Sequence, residues 1–321
     1  MNIGILGTGS IAKTMAYTIN TMQGVKLYAV ASRNFDKAKN FADEFSVSKA
    51  YGSYEILAQD ELIDLVYIAT PHSRHYEDCM LCLRNGRNVI CEKAFTANEK
   101  QAREVIAFAE SRGLFITEAI WTRFLPMRFT LDEIIKSGVI GEISYLTANL
   151  GYALKSVDRL QKPELAGGAL LDLGVYPINF ALMAFGSDIA SIKSACVKNE
   201  YGVDSNNTII MTYKDGRTAL LYSNMNANLD KRGIIYGDKG RIEFLNINNC
   251  EGIKIILNDG NIKEYITPKQ ITGYEYEIRS AVNAVSEGKT ECSEMPHRET
   301  LRVMRIMDEL RREWKIKYPF E

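Results

Sequence analysis

The sequence predicts an α/β fold, in which a doubly wound parallel sheet at the N-terminus is followed by an α+β domain with a large, mostly antiparallel sheet. Three observations predict it. A glycine-rich turn follows a short apolar strand at residues 2–6, strand and helix signals alternate up to about residue 120, and strand signals then succeed one another from 191 to 266. At 321 residues the chain is long enough for two domains, which we expect at 1–120 and 121–321. The last helices of the chain are candidates to pack back on the first domain.

The glycine-rich turn has the pattern of a dinucleotide fingerprint. Residues Gly7 to Ala12 match G-x-G-x-x-A between a buried strand and a helix. The first glycine of this pattern makes the tight turn, the second lets the backbone approach a pyrophosphate, and the small last residue allows close helix–strand packing. The helix N-terminus offers N–H groups to the phosphates. We therefore expect Gly7, Gly9, Ser10 and Ile11 to bind a dinucleotide.

The other elements of the first domain follow from apolar runs and helix end signals. Strands are predicted at 26–31, 65–69, 88–91 and 114–118, and helices at 36–45 and from the Thr96 cap to 112. A Thr-x-x-Glu capping box at Thr96 opens the second of these helices, and Gly113 ends it. This alternation indicates right-handed β-α-β units in one doubly wound sheet, a Rossmann domain.

The second domain begins with a helix at 126–137, a strand at 143–150 and a helix at about 172–185. Further strands are predicted at 191–198, 208–213, 218–224, 233–237, 241–244, 253–257 and 263–266. Short turns rich in Asp, Asn and Gly separate them, which indicates antiparallel pairing of neighbours. Helices at 274–286 and 297–314 end the chain.

Composition excludes several classes of function. The net charge of -1 gives no basic field for nucleic acid or an anionic membrane surface. No apolar run is expected to reach the length of a membrane span, and the N-terminus has no signal-peptide pattern. We expect a cytoplasmic protein.

Cysteine and histidine residues give no metal site. Six scattered cysteines in a chain of this size suit reduced thiols. Cys79 and Cys82 match C-x-x-C inside an apolar helical stretch, which favours buried packing over a zinc or redox role. His72 and His75 have no third ligand at a recognisable spacing, so no metal is expected.

The end of the second strand favours NADP over NAD. A Rossmann unit that binds NAD usually carries Asp or Glu there for the adenosine ribose, whereas this chain has Ser32 and Arg33. A hydroxyl and a guanidinium suit the 2′-phosphate of NADP. The alternative is a solvated arginine on a loop.

Three further clusters follow predicted strands of the first sheet, at the edge where ligands bind in open α/β sheets. They are Thr70-Pro71 with His75, then Glu92-Lys93, and then residues 118–124 with Trp121 and Arg123. Taken singly, they are consistent with a capping segment, a surface ion pair and an aromatic hinge. Their shared position favours one cleft.

A fourth cluster lies in the second domain. Asp172 and Tyr176 are four residues apart, so they share one face of an α-helix, and Gly167-Gly168 before it permit close backbone approach. The alternative is a helix-start carboxylate and a half-buried packing tyrosine.

These motifs together resemble the glucose-fructose oxidoreductase/inositol dehydrogenase (Gfo/Idh/MocA) family over nearly the whole chain. The residues that carry the resemblance are the fingerprint, Thr-Pro-x-x-x-His, Glu92-Lys93 and Gly-Gly-x-Leu-x-Asp-x-Gly-x-Tyr. The stretch 118–124 and the tyrosine at 176 are similar to the dimeric dihydrodiol dehydrogenase and glucose-fructose oxidoreductase branch. The resemblance implies an NADP or NAD enzyme for a sugar, cyclic polyol or diol, with Lys93, Asp172 and Tyr176 as the catalytic group. It also implies a homodimer formed through the outer face of the C-terminal sheet. The apolar residues Leu220, Tyr222 and Met225 favour contact with a partner there, and a strand bulge would be needed to put all three on one face.

One position departs from the family pattern, because Ala94 replaces the proline of Glu-Lys-Pro. The sequence leaves open whether the peptide bond after Lys93 is trans, or is cis and held by its neighbours.

The mechanism expected from this reading is reversible hydride transfer between nicotinamide C4 and a carbinol carbon. Tyr176 is the expected general acid/base, with Lys93 favouring its ionised form or binding the substrate oxygen and Asp172 orienting Lys93 or a hydroxyl. Two alternatives are an NAD-retaining glycosidase of the same fold and a non-catalytic NADP-binding sensor. Retention of all three residues argues against the sensor.

Overall fold

The computed structural model describes all 321 residues, which divide into two compact units. The first unit comprises Met1–Trp121 and Gln270–Arg305, and the second comprises Thr122–Lys269 and Ile306–Glu321. Each unit is built around one sheet.

The sheet of the first unit contains β1 (Asn2–Leu6), β2 (Lys26–Ala31), β3 (Lys49–Tyr51), β4 (Leu65–Ile68), β5 (Asn88–Glu92) and β6 (Ile116–Ala119). All six strands run parallel, in the order β3-β2-β1-β4-β5-β6. This is the doubly wound order, in which the ligand crevice lies at the carboxyl ends of the strands where the order reverses, between β1 and β4. The Rossmann fold predicted from the sequence is confirmed.

Five helices connect these strands: α1 (Ser10–Thr21), α2 (Phe35–Phe45), α3 (Tyr54–Gln59), α4 (His75–Arg84) and α5 (Glu99–Arg112). The prediction of a capping box at Thr96 is wrong, because the side chain of Asn98 caps α5 by accepting a hydrogen bond from the Gln101 amide at 2.9 Å. The Thr96 hydroxyl instead donates to the Asn98 carbonyl oxygen. Asparagine is among the strongest N-cap residues, and Asn98 directly precedes the first residue of α5, so it caps the helix in place of Thr96.

Two elements of this unit have no counterpart in the sequence prediction. β3 is a three-residue edge strand and α3 has six residues, so neither is long enough to show a hydrophobic period. A local signal for α3 exists in Ser53, whose hydroxyl accepts a hydrogen bond from the Ile56 amide.

The sheet of the second unit contains β7 (Ile143–Gly151), β8 (Ile189–Lys198), β9 (Asp204–Tyr213), β10 (Thr218–Asn224), β11 (Gly233–Gly237), β12 (Gly240–Leu245), β13 (Gly252–Leu257) and β14 (Ile262–Ile266). The strand order is β14-β13-β12-β11-β7-β10-β9-β8, and every pair is antiparallel except β7 with β10. The predicted large, mostly antiparallel sheet is confirmed.

The remaining helices are α6 (Pro126–Lys136), α7 (Asp158–Gln161), α8 (Val175–Phe185), α9 (Glu275–Ser286) and α10 (His297–Glu313). α8 packs on one face of the second sheet, where Phe180 lies over Gly233 and its ring centre is 5.3 Å from that of Phe244. The segment Pro163–Phe185 has the length and hydropathy of a membrane span, contrary to the sequence prediction. Because 94% of its most apolar window is buried, the segment is a core helix of this unit.

The opposite face of the second sheet carries partly exposed apolar side chains. We call this surface the open face, and its members are Tyr145, Ile210, Leu220, Tyr222, Ile234 and Tyr236. The sequence also suggested Met225 for this face, which is wrong. β10 pairs with both neighbours without a bulge, so Met225, with an exposed fraction of 1%, follows the inward register of Leu221.

Candidate active site

The turn between β1 and α1 requires glycine at position 7. Gly7 has φ +105°, in the left-handed region, and its amide donates a hydrogen bond to the Ala31 carbonyl oxygen at 2.9 Å. A Cβ atom on Gly7 would lie 2.7 Å from the carbonyl oxygen of Ala69. The turn is therefore enclosed by the ends of β2 and β4, where only a hydrogen atom fits.

The start of α1 is open to an anion. A Cβ atom on Gly9 would meet nothing within 4 Å, and α1 begins without a side-chain cap or an acidic residue in its first turn. Ser10 is exposed and Ile11 half-buried, while Ala12 is fully buried against the sheet. A pyrophosphate fits this helix N-terminus, because its amides and the helix dipole attract negative charge.

Two cations, one of them on the loop after β2, lie near the buried hydroxyl of Tyr54. Ser32 is buried and Arg33 is exposed. Burial and then the charge of Asp78 raise the pKa of the buried Tyr54 hydroxyl, while the guanidinium groups of Arg33 and Arg74 act in the opposite direction. Two guanidinium groups therefore lie near the Tyr54 hydroxyl, that of Arg33 on the loop after β2 and that of Arg74 in the turn after β4. The loop after β2 has no carboxylate before Asp36.

The segment after β4 is fixed by a buried acid, Asp78, which was not predicted from the sequence. The Thr70 hydroxyl donates to the Asp78 carboxylate at 2.7 Å, and Arg74 donates to it at 3.0 Å. Burial raises the pKa of Asp78, although both of these partners oppose the shift. Pro71 precedes a single turn of 3-10 helix, His72–Arg74. An acid inside an ordinary helical stretch gives no sequence signal.

His75 is fully buried at the start of α4. Its Nδ1 atom lies 2.8 Å from the Ala94 carbonyl oxygen, and its Nε2 atom lies 2.9 Å from the Thr70 carbonyl oxygen. Carbonyl oxygens only accept, so a neutral ring donates to one of them and an imidazolium donates to both. The ring thus connects the segment after β4 to the segment after β5.

Lys93 is half-buried directly after β5. Its backbone amide donates to the Glu92 carboxylate at 3.2 Å, and the same carboxylate accepts a hydrogen bond from the Tyr67 hydroxyl. The peptide bond between Lys93 and Ala94, which the sequence left open, is cis.

A second buried acid, Glu277, lies near Glu92 in the first unit. Glu277 is fully buried in α9, and neither of its carboxyl oxygens has a hydrogen-bond partner. Burial, and then the charge of Glu92, raise the pKa of Glu277 well above its usual range. The protonated form of Glu277 is therefore favoured.

The predicted cluster at 118–124 is divided between the two units. Trp121 stacks on Tyr274 in the first unit, with ring centres 4.0 Å apart and planes 4° from parallel. Arg123 is buried in the second unit, and its Nε atom donates to the Asn179 side-chain oxygen at 2.6 Å.

Asp172 and Tyr176 lie at the start of the core helix of the second unit, each with an exposed fraction of 5%. The predicted single α-helix from about 172 is corrected: Leu170–Gly174 form one turn of π-helix that contains Asp172, and α8 begins only at Val175. The Asp172 carboxylate accepts a hydrogen bond from Arg159 at 3.1 Å. Such π turns inside helices are frequent at functional sites.

The second of the two glycines before this turn, Gly168, makes room for a buried acid. Gly168 has φ +116°, and a Cβ atom on it would lie 2.4 Å from the Asp204 carboxylate. That carboxylate accepts hydrogen bonds from the Leu170 amide and the Asn207 side chain, both at 2.8 Å. Asp204 therefore fixes the start of the turn that carries Asp172. Nothing in the sequence indicated this role, since Leu170, whose amide Asp204 holds, lies 34 residues away in the chain.

Asp204 makes the free energy of unfolding depend on pH. Burial raises its pKa from 3.8 to about 6. The folded protein thus holds this proton more tightly than the unfolded chain, so the stability gained is full below about pH 4 and is lost as the pH rises through 6. In urea titrations across this range, Asp204→Asn is expected to remove a pH-dependent difference of roughly 1–3 kcal/mol. Parallel pH curves for the two proteins would contradict this assignment.

No group of three or more His, Cys, Asp and Glu side chains in the chain is arranged to hold a metal ion. All six cysteines are free thiols. Cys79 and Cys82 are buried in α4, in line with a packing role.

Comparison with known families identifies the class. The model of an oxidoreductase family with an NAD-binding Rossmann fold (GFO_IDH_MocA) matches residues 1–119, and the model of the GFO/IDH/MocA C-terminal domain matches residues 129–243. The chain belongs to the Gfo/Idh/MocA oxidoreductase family, and it is an enzyme that depends on a nicotinamide dinucleotide. The resemblance found in the sequence is confirmed.

Individual relatives cover almost the entire chain. A trans-1,2-dihydrobenzene-1,2-diol dehydrogenase of Xenopus laevis is 34% identical over 326 residues, which are 98% of each chain. A Homo sapiens protein of the same description is 32% identical over 98% of this chain and 97% of the relative. Among solved structures, a 3-ketoreductase from Actinomadura kijaniata in complex with NADP and TDP-benzene covers 97% of both chains, with a TM-score of 0.89 and 26% identity.

Proposed function

We propose that this protein catalyses reversible hydride transfer between the C4 atom of a nicotinamide and the carbinol carbon of a sugar, cyclic polyol or trans-diol. The observation that carries the proposal is the similarity to trans-dihydrodiol dehydrogenases along 98% of the chain. Bound nicotinamide supplies the hydride acceptor and donor. The residues of the chain bind and orient the reactants and move the proton.

The proposed catalytic residues are Tyr176, Lys93 and Asp172. During oxidation the carbinol carbon would lose a hydride to the nicotinamide, the ionised oxygen of Tyr176 would accept the O–H proton, and the electrons of the O–H bond would form the C=O bond; reduction would reverse these steps. Lys93 donates to the substrate oxygen or favours the tyrosinate by its positive charge. Asp172, which is buried and paired with Arg159, orients a hydroxyl or the Lys93 ammonium.

We assign residues 1–120 to cofactor binding and residues 121–321 to substrate binding and dimerisation, in a cytoplasmic enzyme. Within the second range, Gln270–Arg305 fold with the first unit. Gly7, Gly9, Ser10 and Ile11 receive the pyrophosphate at the open start of α1. The other residues that we assign to the cofactor cleft are Ser32, Arg33, Thr70, Pro71, His75, Glu92, Lys93, Trp121 and Arg123.

NADP is the proposed cofactor, in preference to NAD, because Arg33 stands where an acid would bind the ribose. Arg33→Ala is expected to weaken NADP binding by roughly 10–100-fold, since a charge-assisted hydrogen bond contributes about 1.5–3 kcal/mol, and to leave NAD binding nearly unchanged. Calorimetric titration of each variant with NADP and with NAD measures the two affinities. Arg112→Ala, at an exposed arginine ending α5, is the control. Equal affinity of the unmutated protein for NADP and NAD would refute the preference.

The function is tested by a screen of sugars, inositols and trans-diols with NADP and NAD, followed by the absorbance of the reduced cofactor. The expected result is that reduced cofactor forms only when both a substrate and the oxidised cofactor are present. Hydrolysis of glycosides without net cofactor reduction would instead identify an NAD-retaining glycosidase. Cofactor binding with no turnover of any compound would favour a sensor.

A homodimer through the open face is the proposed assembly. Leu220 pairs with Ile210 on one side and Thr147 on the other, and Tyr145 lies beside Tyr236, so partly exposed apolar side chains are contiguous across neighbouring strands. Apolar patches of this kind mark interaction surfaces. A second copy of the chain is the partner that the family resemblance implies.

The assembly is tested by light scattering at micromolar concentration. We expect a dimer, and we expect Leu220→Glu to convert it to a monomer, because the new charge would be buried without a partner in the interface. Leu62→Glu places the same change at an exposed leucine of the first unit and serves as the control. A monomeric unmutated protein would contradict the proposal.

A further inference from the structure

The backbone of residues 93–95, which we call the Lys93 segment, is held by side chains from three elements. Successive backbone groups bond to buried side chains, namely the Lys93 amide to Glu92, the Ala94 carbonyl oxygen to His75 and the Phe95 amide to Glu118, at 3.2, 2.8 and 3.2 Å. The thiol of Cys91 also donates to the Phe95 carbonyl oxygen at 3.5 Å. The segment is therefore restrained at each of its three residues.

All three side chains are buried in the core of the first unit, and those of His75 and Glu92 make further hydrogen bonds there. His75 is fully buried, and its second ring nitrogen lies 2.9 Å from the Thr70 carbonyl oxygen. Glu92 accepts a hydrogen bond from the buried Tyr67 hydroxyl. Glu118 has an exposed fraction of 1% and extends from β6. Hydrogen bonds from backbone N–H groups to a buried carboxylate are strong, so these contacts restrict motion of the segment.

Position 94 explains why such restraint is needed. Ala94 replaces the proline of the family pattern and has no ring that limits φ. Hydrogen bonds rather than covalent geometry must therefore define the backbone beside Lys93. The reacting atoms in hydride and proton transfer must be placed closely, and a displacement of about 1 Å can reduce the rate about 10²-fold. The bonds at residues 94 and 95 do not involve the lysine side chain, so they act on it only through the backbone.

We propose that His75 and Glu118 are positioning residues for Lys93, holding the Ala94 carbonyl and the Phe95 amide so that the lysine ammonium is aimed at the substrate oxygen. This inference rests on the catalytic role proposed for Lys93. Glu118 needs only an oxygen acceptor for this task, whereas His75 needs a ring that reaches both the Ala94 and the Thr70 carbonyls.

The test compares His75→Leu, Glu118→Leu and Glu118→Gln in the unmutated protein and in a Lys93→Met background, using the best substrate of the screen. Both His75→Leu and Glu118→Leu are expected to lower kcat by roughly 10–100-fold at saturating NADP. Glu118 is not among the residues assigned to the cofactor cleft, so Glu118→Leu is also expected to leave the Kd of NADP, measured by fluorescence, nearly unchanged. Glu118→Gln keeps an oxygen acceptor and is expected to retain most activity. In the Lys93→Met background the same substitutions are expected to have little effect, because the group they position is gone.

His297→Leu is the matched control. His297 is a buried histidine of the same unit whose ring nitrogens lie 3.0 Å from Glu110 and from the Ile116 carbonyl oxygen, neither of which belongs to the Lys93 segment. Its loss is expected to lower the Tm without a dependence on Lys93. If His75→Leu does not fold, the two Glu118 variants decide.

Equal losses of kcat with and without Lys93 would overturn the inference and leave the proposed function standing. An unchanged kcat in Lys93→Met alone would refute the catalytic role of Lys93, and the inference with it.

Discussion

Tyr176→Phe is expected to lower kcat by roughly 10²–10⁴-fold, the usual contribution of general acid–base catalysis, without changing the Kd of NADP. The substitution removes only the hydroxyl, and the buried ring keeps its packing at the start of α8. In the proposed mechanism this hydroxyl carries the substrate proton, so its loss acts on proton transfer and not on binding. Steady-state kinetics and a fluorescence titration with NADP separate the two effects.

Tyr213→Phe provides the control for this experiment. Tyr213 is also buried in the second unit, and its hydroxyl donates to the Ala181 carbonyl oxygen at 3.4 Å. Its loss is expected to reduce the Tm slightly and to leave kcat unchanged. Near-normal turnover by Tyr176→Phe would show that the proton travels elsewhere, and Lys93 would become the preferred acid/base.

Features with a local cause were predictable from the sequence. The strand at Lys26–Ala31 and the strands at Thr218–Asn224 and Gly233–Gly237 have the predicted bounds, because apolar runs and turn residues mark both ends of each. The fingerprint glycines were readable for the same reason, since Gly7 needs a positive φ that few other residues adopt.

Features that depend on distant partners were not predictable. β7 lies between β10 and β11 and runs parallel to β10, although turn signals reveal only the pairing of strands adjacent in sequence. The inward register of Met225 likewise depends on the absence of a bulge in β10, which pairing with β7 and β9 determines. The π turn at Leu170–Gly174 has no sequence period of its own.

The candidate site shows the same division. Residue types at strand ends indicated Lys93, Arg33 and the segment after β4, because parallel strands bring their carboxyl ends to one edge. The roles of Asp204 and Glu277 were not predicted, since nothing in a sequence shows that a carboxyl group will be buried. The two ring contacts of His75 depend on the positions of the loops after β4 and β5, which spacing alone does not determine.

Lys93→Met is expected to lower kcat by roughly 10²-fold, comparable to the loss of one preorganised donor to a developing negative charge. Methionine keeps most of the length and apolar surface of the lysine but has no ammonium group. In the reduction direction, where Tyr176 donates the proton, the basic limb of the pH–rate profile is expected to move to higher pH, because a tyrosinate at position 176 would no longer be stabilised by a cation. Rates measured across the alkaline range give both quantities.

The combination of Lys93→Met with Tyr176→Phe decides whether the two residues act as one unit. If they do, the double variant is expected to lose much less than the product of the single losses, because the lysine serves a proton transfer that the phenylalanine has already removed. Lys100→Met, at an exposed lysine of α5, controls for removal of a positive charge from the first unit. Fully multiplicative losses would show that Lys93 and Tyr176 contribute independently, with the lysine acting on the substrate oxygen and not on the tyrosine.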